Sequence, residues 1–371
     1  MTDHTELKEE LERLWPGLVK CRFNGSICDV ACSRIPLVDL CGHLFLEWKY
    51  SFAGLIVEEG TEWLLHYLFY GEAEDGWVHL KVNAPLDDKT FPSIVKFVHA
   101  ADWHEREAED LFGIAFEGHP RLGDFVLHDD AWQENVEPMR RNFDAAAALR
   151  QRKPALDWRP LRIVQEPGAF VMPVGPKFSG ITESVHFLLE TVGEDVIRAT
   201  PRLFYKWRGV EKLAEGKPAE EVLLLAERFA ATTACAHGLA YCQAVEQICG
   251  ASIPPRAKTL RVYLAELERL RQHAGAIQEI CESTALVVAT SQAGLFEEDL
   301  LRISCELTGH RYLFGQLAIG GLQRNLSNDG CIRAFEQSKA VVAKLNELER
   351  RLRVSSSFLD RLEEVGVVTQ V

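Results

Sequence analysis

The stretch that decides how this chain is read runs from residue 175 to residue 246. It opens with GPKFSGITESVHFLLETVGEDVIRA (175–199), continues through RLFYKWRGVEKLAEG (202–216), and ends in AERFAATTACAHGLAYCQAVE (226–246). HFLLETV and DVIRA alternate about a Gly-Glu-Asp turn, which predicts a β-hairpin. From Tyr205 onward the apolar residues recur at helical spacing. Loop, hairpin and long helix therefore follow one another, and Glu183, His186, Arg208, Glu211, Lys212, Arg228 and His237 are concentrated there.

Working outward, Pro218 opens a helix expected to reach Cys249, stopped by Gly250 and by Pro254-Pro255. Its apolar residues lie nearly all round, so it is expected to be a buried central helix. Further helices are expected over 256–290, 297–309 and 334–353, with GHRYLFGQLAIGGL as a Gly-rich break. LRIVQEPGAFVMPVGP reads as strand. Toward the start, residues 3–15 form a short amphipathic helix. The pattern then turns to period two over 36–84, where TEWLLHYLFY and WVHLKVNAP are strands joined by the turn EAEDG. A helix is expected from Thr90 to Gly113, with Asp88 as N-cap and Pro92 in its first turn. Residues 131–160 are charged, Pro-punctuated and poor in β-branched side chains, as a linker would be. The fold class is α+β: a small sheet domain (1–130) with an antiparallel sheet, a linker (131–160), and a helical bundle entered by a hairpin (161–371).

Composition narrows the function. The 371 residues are 47% apolar and 26% charged, ordinary for a globular protein with a real core. A net charge of -14 argues against nucleic acid, because phosphate binding needs clustered Lys and Arg. Ten cysteines occur without a CxxC pair, and the polar start holds no signal-peptide core, which points to a reducing cytoplasm. No run approaches the ~18 apolar residues of a spanning helix, so membrane association is expected through partners. The dinucleotide fingerprint, the P-loop, GxSxG and HExxH are all missing.

Cys235, Cys242 and Cys249 recur every seven residues and share a helix face. Two turns separate neighbours by roughly 10 Å, too far for sulfurs to share one metal, so they are read as packing. Cys28 and Cys32, which could meet on a helix, and the flanking Cys21 and Cys41 are read the same way.

Two blocks carry family resemblances. ADWHEREAEDLFGIAFEGHP (101–120) is similar to the signature of the 30-kDa subunit of respiratory complex I, through Glu105, Arg106, Glu107, Asp110, Leu111, Phe112, Gly113, Gly118, His119 and Pro120. YKWRGVEKLAEG, ELERLRQH and LTGHRYLFGQLAIGGL resemble the 49-kDa subunit and the large subunit of formate hydrogenlyase-type, energy-converting (group 4) nickel–iron hydrogenases, in which the two parts are fused in this order. The resemblance implies that Arg208, Glu211, Lys212, His273, His310 and Arg311 support or adjoin a cofactor. It places His273 beside the terminal 4Fe-4S cluster of a neighbouring 20-kDa-like small subunit. Cationic groups near an anionic cluster stabilise its reduced form.

The departures are as informative. Hydrogenases carry R.CG.C here, two thiolates for nickel and iron. This chain keeps Arg228 but has Ala230 and Thr233 at the cysteine positions. The second thiolate pair would follow beyond Val371. No nickel–iron centre and no metal ligand is therefore expected. The quinone contacts of complex I are altered too, with Phe178 at the hairpin histidine and Thr232 or Thr233 near the tyrosine. The resemblance implies a peripheral subunit on the inner face of a membrane, carried by antiporter-like membrane partners and supporting electron transfer beside a partner's cluster, with Glu183, His186, Arg228 and His237 as its active region. The other reading is a non-catalytic scaffold or remnant that only docks partners. A hydrogenase large chain read as a fragment is the third, although Ala230 and Thr233 lie inside the sequence.

Overall fold

The computed structural model describes residues 4–72, 75–133, 136–155, 157–159, 163–165, 167–176 and 184–367. The chain divides into two compact units, Met1–Lys212 and Leu213–Val371, a division that falls inside the expected second domain.

In the first unit, α1 (His4–Leu14) precedes β1 (Val19–Asn24) and β2 (Ile27–Cys32). Then come α2 (Leu37–Leu46), β3 (Ser51–Glu59), β4 (Trp63–Gly71) and β5 (Gly76–Ala84). The five strands form one sheet in the order β1-β2-β5-β4-β3. β2 and β5 run parallel, so the sheet is mixed where a purely antiparallel one was expected. A parallel neighbour requires a long crossover, and here α2, β3 and β4 supply it. The period-two reading holds for β4, whose Trp63, Leu65, Tyr67 and Phe69 are fully buried. Against this face pack Leu7 and Leu11 of α1, and Leu37, Leu40 and Leu44 of α2. Residues 37–46 are helical, not strand: LVDLCGHLFL is apolar nearly throughout and five of its residues are buried. Cys28 and Cys32 lie on a strand rather than a helix, both turned into the core.

The expected helix over 90–113 is a short strand, a 3-10 turn (His99–Ala101) and a shorter helix. β6 (Thr90–Pro92) pairs in parallel with β7 (Ala115–Glu117), and α3 spans only Asp102–Phe112. Asp88 is not its cap: one carboxylate oxygen accepts the Thr90 N–H at 3.3 Å and the other holds Arg34 at 2.6 Å. Gly113 ends α3 at φ 72°, where a Cβ would sit 2.0 Å from Glu137 Oε1. Within the expected linker, α4 (Ala145–Gln151) is capped by Asp144, which accepts the Ala147 N–H. A second sheet follows, β8 (Ala169–Val174), β9 (His186–Val192) and β10 (Asp195–Arg202), antiparallel in the order β10-β9-β8. The 186–202 hairpin is as expected. Phe178 and Glu183 lie outside the described residues.

After α5 (Val210–Ala214), the second unit is mainly helical. The single helix expected over 218–249 is α6 (Ala219–Phe229) and α7 (Ala234–Cys249), separated by extended Ala230 and a 3-10 turn. Burial is confined to one stripe, and Cys249 is exposed while Cys235 and Cys242 are buried. α8 (Pro255–Ser283) starts with proline in its first turn. It stops short of the expected end because Ala285 takes φ 57° and begins a tight turn. α9 (Val287–Thr308) therefore starts ten residues earlier than expected and closes on left-handed Gly309. β11 (Leu317–Ala318) and β12 (Gly321–Leu322) make a small hairpin in the Gly-rich break, followed by α10 (Asn328–Leu352) and α11 (Ser356–Leu362). Leu267 and Ala274 of α8, Leu300 and Ile303 of α9, and Val341 and Leu345 of α10 close a common core.

Candidate functional site

In the first unit the acidic signature helix α3 fastens a loop. Asp110 Oδ2 accepts two backbone N–H groups, from Val126 at 2.6 Å and Leu127 at 2.7 Å, and Glu109 accepts the Gly123 N–H at 3.0 Å. Arg106 donates to the Gly123 and Asp124 carbonyls and lies over the Phe125 ring at 4.1 Å. Burial pushes the Asp110 carboxyl up to about 6, although both N–H bonds favour its charged form. The loop is tied onward: Arg202 reaches Asp124 at 3.0 Å and Asp130 at 2.8 Å, and a ring nitrogen of His128 meets the Leu203 carbonyl at 2.8 Å. The block 101–120 is thus an anchoring device for residues 123–127. Asp110→Ala, which leaves two N–H groups without their acceptor, is expected to cost about 1–3 kcal/mol. Amide exchange at Val126 and Leu127 is the check, since intact protection there would refute the anchoring role.

The second unit centres on the gap between α6 and α7. Three buried carboxylates on three helices each hold backbone. Glu268 of α8 accepts the Cys235 and Ala236 N–H groups at 2.8 and 2.9 Å, so the free N-terminus of α7 is already occupied by an anion. Glu227 of α6 accepts the Gly315 N–H at 3.0 and 3.1 Å. Glu246 of α7 accepts the Gly320 N–H at 2.7 Å and a bidentate Arg261. Burial pushes the carboxyls of Glu227 and Glu268 up, whereas the Arg261 guanidinium holds that of Glu246 down. The gap itself is held by Arg271 and Gln272, which both donate to the Thr232 carbonyl, and Arg271 also pairs with Glu297 at 2.9 Å. None of these carboxylates, nor Arg261, Arg271 or Gln272, was singled out from the sequence. A signal was present: Arg261, Leu264, Glu268 and Arg271 fall on one stripe of α8, and charges on a buried stripe require partners.

The expected site residues fall in different places. Arg228 ends α6, donates to the Leu224 carbonyl at 3.0 Å, and lies 5.2 Å from the Phe314 ring centroid. The His310 ring lies tilted against the same Phe314, with centroids 4.8 Å apart, so these two are brought together. His237 meets the edge of Phe229 at 5.0 Å. Arg311 instead pairs with Glu298 at 2.6 Å, holding that carboxyl down at about 2, and His273 is exposed on α8. In the first unit, a ring nitrogen of His186 lies 3.2 Å from the Tyr205 hydroxyl, and burial pushes its pKa down. Lys212 donates to the Arg140 carbonyl at 2.7 Å. Glu211 stands near Glu107, whose carboxyl is raised by burial first and by Glu211 second. Arg208 precedes α5 and is exposed.

At Ala230 and Thr233, the two positions that the resemblance sets against hydrogenase thiolates, the side chains offer no soft ligand. Ala230 offers a methyl group, and the Thr233 hydroxyl donates to the Ala230 carbonyl at 3.2 Å. The nearby Cys235 thiol is buried and pushed up to about 12, so it stays protonated. Among the described residues, no three His, Cys, Asp or Glu side chains converge on a metal position.

Residues 33–148 match the family described as respiratory-chain NADH dehydrogenase, 30 Kd subunit. The chain is 32% identical over 299 residues to hydrogenase-4 component G of Escherichia coli (strain K12), covering 80% of this chain and 53% of that one. It is 33% identical over 295 residues to formate hydrogenlyase subunit 5 of the same strain, covering 78% and 51%. With the C/D subunit of NADH-quinone oxidoreductase from Bdellovibrio bacteriovorus it shares 26% over 300 residues, covering 78% and 53%. Among solved structures, it is similar to a chain of the membrane-bound sulfane sulfur reductase, an archaeal respiratory membrane complex, with a TM-score of 0.51, 25% identity and 54% of each chain covered. The chain spans about half the length of the curated relatives it matches. Residues 33–148 belong to the respiratory-chain NADH dehydrogenase 30 Kd subunit family, in a chain that runs on in the order of the fused 30-kDa/49-kDa-like proteins it resembles.

Proposed function

We propose that this chain is a peripheral-arm subunit of a membrane-bound redox complex related to complex I and to energy-converting hydrogenases, and that it supports electron transfer without a nickel–iron centre of its own. Its relatives include a hydrogenase component, a formate hydrogenlyase subunit, NADH-quinone oxidoreductase subunits and a sulfane sulfur reductase chain, so the architecture is not bound to one electron acceptor. No helix among the described residues is long and apolar enough to cross a membrane, and attachment to the inner face through antiporter-like partner subunits is part of the proposal.

The observation that carries the reading is the α6–α7 gap. It is built with buried Glu268 and Arg271 and half-buried Gln272, and keeps Arg228 and His237 beside it, yet presents Ala230 and Thr233 where soft ligands would stand. His273, exposed on α8, then faces a small partner protein that holds a 4Fe-4S cluster and tunes its potential by charge and hydrogen bonding.

The test is made on the native complex. Metal analysis is expected to find iron in the assembly and nickel far below one atom per chain; one nickel per chain overturns the proposal. Replacing His273 with alanine is expected to shift the midpoint potential of a partner cluster followed by EPR. An unshifted cluster together with undiminished electron transfer would favour the alternative, a scaffold that only docks partners.

A further inference from the structure

The face of the five-stranded sheet opposite its core carries a row of titratable groups that neither the signature helix nor the α6–α7 gap uses. His66 of β4 pairs across the ladder with Lys81 of β5, and His79 of β5 with Leu68, so the two histidines are diagonal neighbours. Their rings are stacked, 27° apart with centroids at 5.0 Å, and His66 Nδ1 lies 2.7 Å from His79 Nε2. The two outer nitrogens face carboxylates. His79 Nδ1 is 3.1 Å from Asp29 Oδ1 on β2, and His66 Nε2 is 3.6 Å from Glu58 Oε2 on β3. Lys81 Nζ reaches the same Asp29 oxygen at 2.7 Å. Glu58, Asp29, Lys81 and the two imidazoles are therefore the charged and titratable groups facing the pair from all four strands.

Counting hydrogens decides what this row can hold. A nitrogen–nitrogen contact of 2.7 Å requires one hydrogen between the rings. With both imidazoles neutral, two hydrogens serve four ring nitrogens: one bridges, and one carboxylate is left facing a bare lone pair. With one extra proton there are three hydrogens, enough for the bridge and for both outward contacts. With two extra protons, two N–H groups point at each other across the same gap and two like charges adjoin, so the contact must break.

We propose that His66 and His79 form a single-proton site, which takes up one proton in the closed arrangement and a second only by separating the rings. Burial is the largest influence and lowers the affinity of both rings for protons; Lys81 adds to it, and at His79 so does His66, whereas Glu58 and Asp29 at His66 and Asp29 at His79 oppose it without reversing it. A lowered imidazole pKa means that the unfolded chain binds protons that the folded one refuses, so stability is lost as pH falls below the ordinary imidazole value. The sheet face thus gains one positive charge in a first step and rearranges in a second, which makes it a pH-responsive surface outside the redox region.

The experiment is a titration of the full chain, labelled with imidazole-15N histidine, from about pH 8 to about pH 4. The His66 and His79 signals are expected to share a two-step curve, its steps separated by at least about one pH unit or the second falling below the range. In His79→Gln the His66 curve is expected to collapse to one step, and in His66→Gln the His79 curve likewise. Wild-type rings that each titrate in a single step at the same pH overturn the proposal without recourse to any variant.

Discussion

Arg261→Ala is expected to cost the second unit about 3–5 kcal/mol, a large share of the ~5–15 kcal/mol that holds a domain folded. The arginine is 4% exposed and its partner Glu246 is 6% exposed. Its guanidinium donates to both Glu246 oxygens, at 2.9 and 2.5 Å, and to the carbonyls of Ala318 and Gly321, at 2.7 and 3.0 Å. Alanine would leave a buried carboxylate with the Gly320 N–H at 2.7 Å and no cation, and two carbonyls of the β11–β12 hairpin without these donors. Replacing both partners with apolar residues of similar volume, Arg261→Met with Glu246→Leu, is expected to recover part of the loss, because the penalty comes from the stranded charge rather than from the pair. The sequence supplies a convenient readout: all eight tryptophans lie in the first unit. Far-UV circular dichroism is dominated by the long helices α8, α9 and α10 of the second unit, while tryptophan fluorescence follows the first alone. A dichroism transition in urea that does not move on Arg261→Ala would show that the hairpin does not depend on this pair.

That interaction was hidden in the sequence, and the reason is general to this chain. β4 and the 186–202 hairpin were legible because alternation is a local property, written in consecutive residues such as WLLHYLFYG. The 30-kDa signature was legible as a motif, and the structure adds what its acids do: they bind the backbone of residues 123–127. The gap at Ala230 was illegible because it is enforced from elsewhere in the chain. Alanine has no objection to helix, and the interruption is held by Arg271 and Gln272 on the Thr232 carbonyl and by Glu268 on the next helix N-terminus. The same holds for β1 and β2, short half-polar strands specified by their neighbours rather than by their own pattern. Arg228, expected in the active region, and His310, expected beside a cofactor, meet on Phe314, a ring that the sequence did not single out.

The stability of the first unit is expected to depend on pH through Glu105. This carboxyl is completely buried, accepts the Ser93 O–H at 2.6 Å and the Ile94 N–H at 2.8 Å, and has His119 Nε2 at 4.0 Å. Burial is the largest influence and raises its pKa from 4.5 to about 7, against the two hydrogen bonds that favour the charged form. A folded pKa above the unfolded one means that the native state keeps a proton the unfolded chain releases. The stabilising contribution is therefore complete below about pH 4.5, declines as pH rises, and is lost above about pH 7, a difference of about 3 kcal/mol. Glu105→Gln imitates the protonated form, since its amide oxygen can accept from Ile94 while its NH2 donates to the Ser93 oxygen. The variant is expected to match the wild type near pH 5 and to exceed it by up to about 3 kcal/mol near pH 8, read from tryptophan fluorescence in urea. The difference between the two proteins isolates this one group from every other titration in the unit. Parallel stability curves across that range would mean that Glu105 is charged in the folded protein throughout, and that Ser93 and Ile94 outweigh its burial.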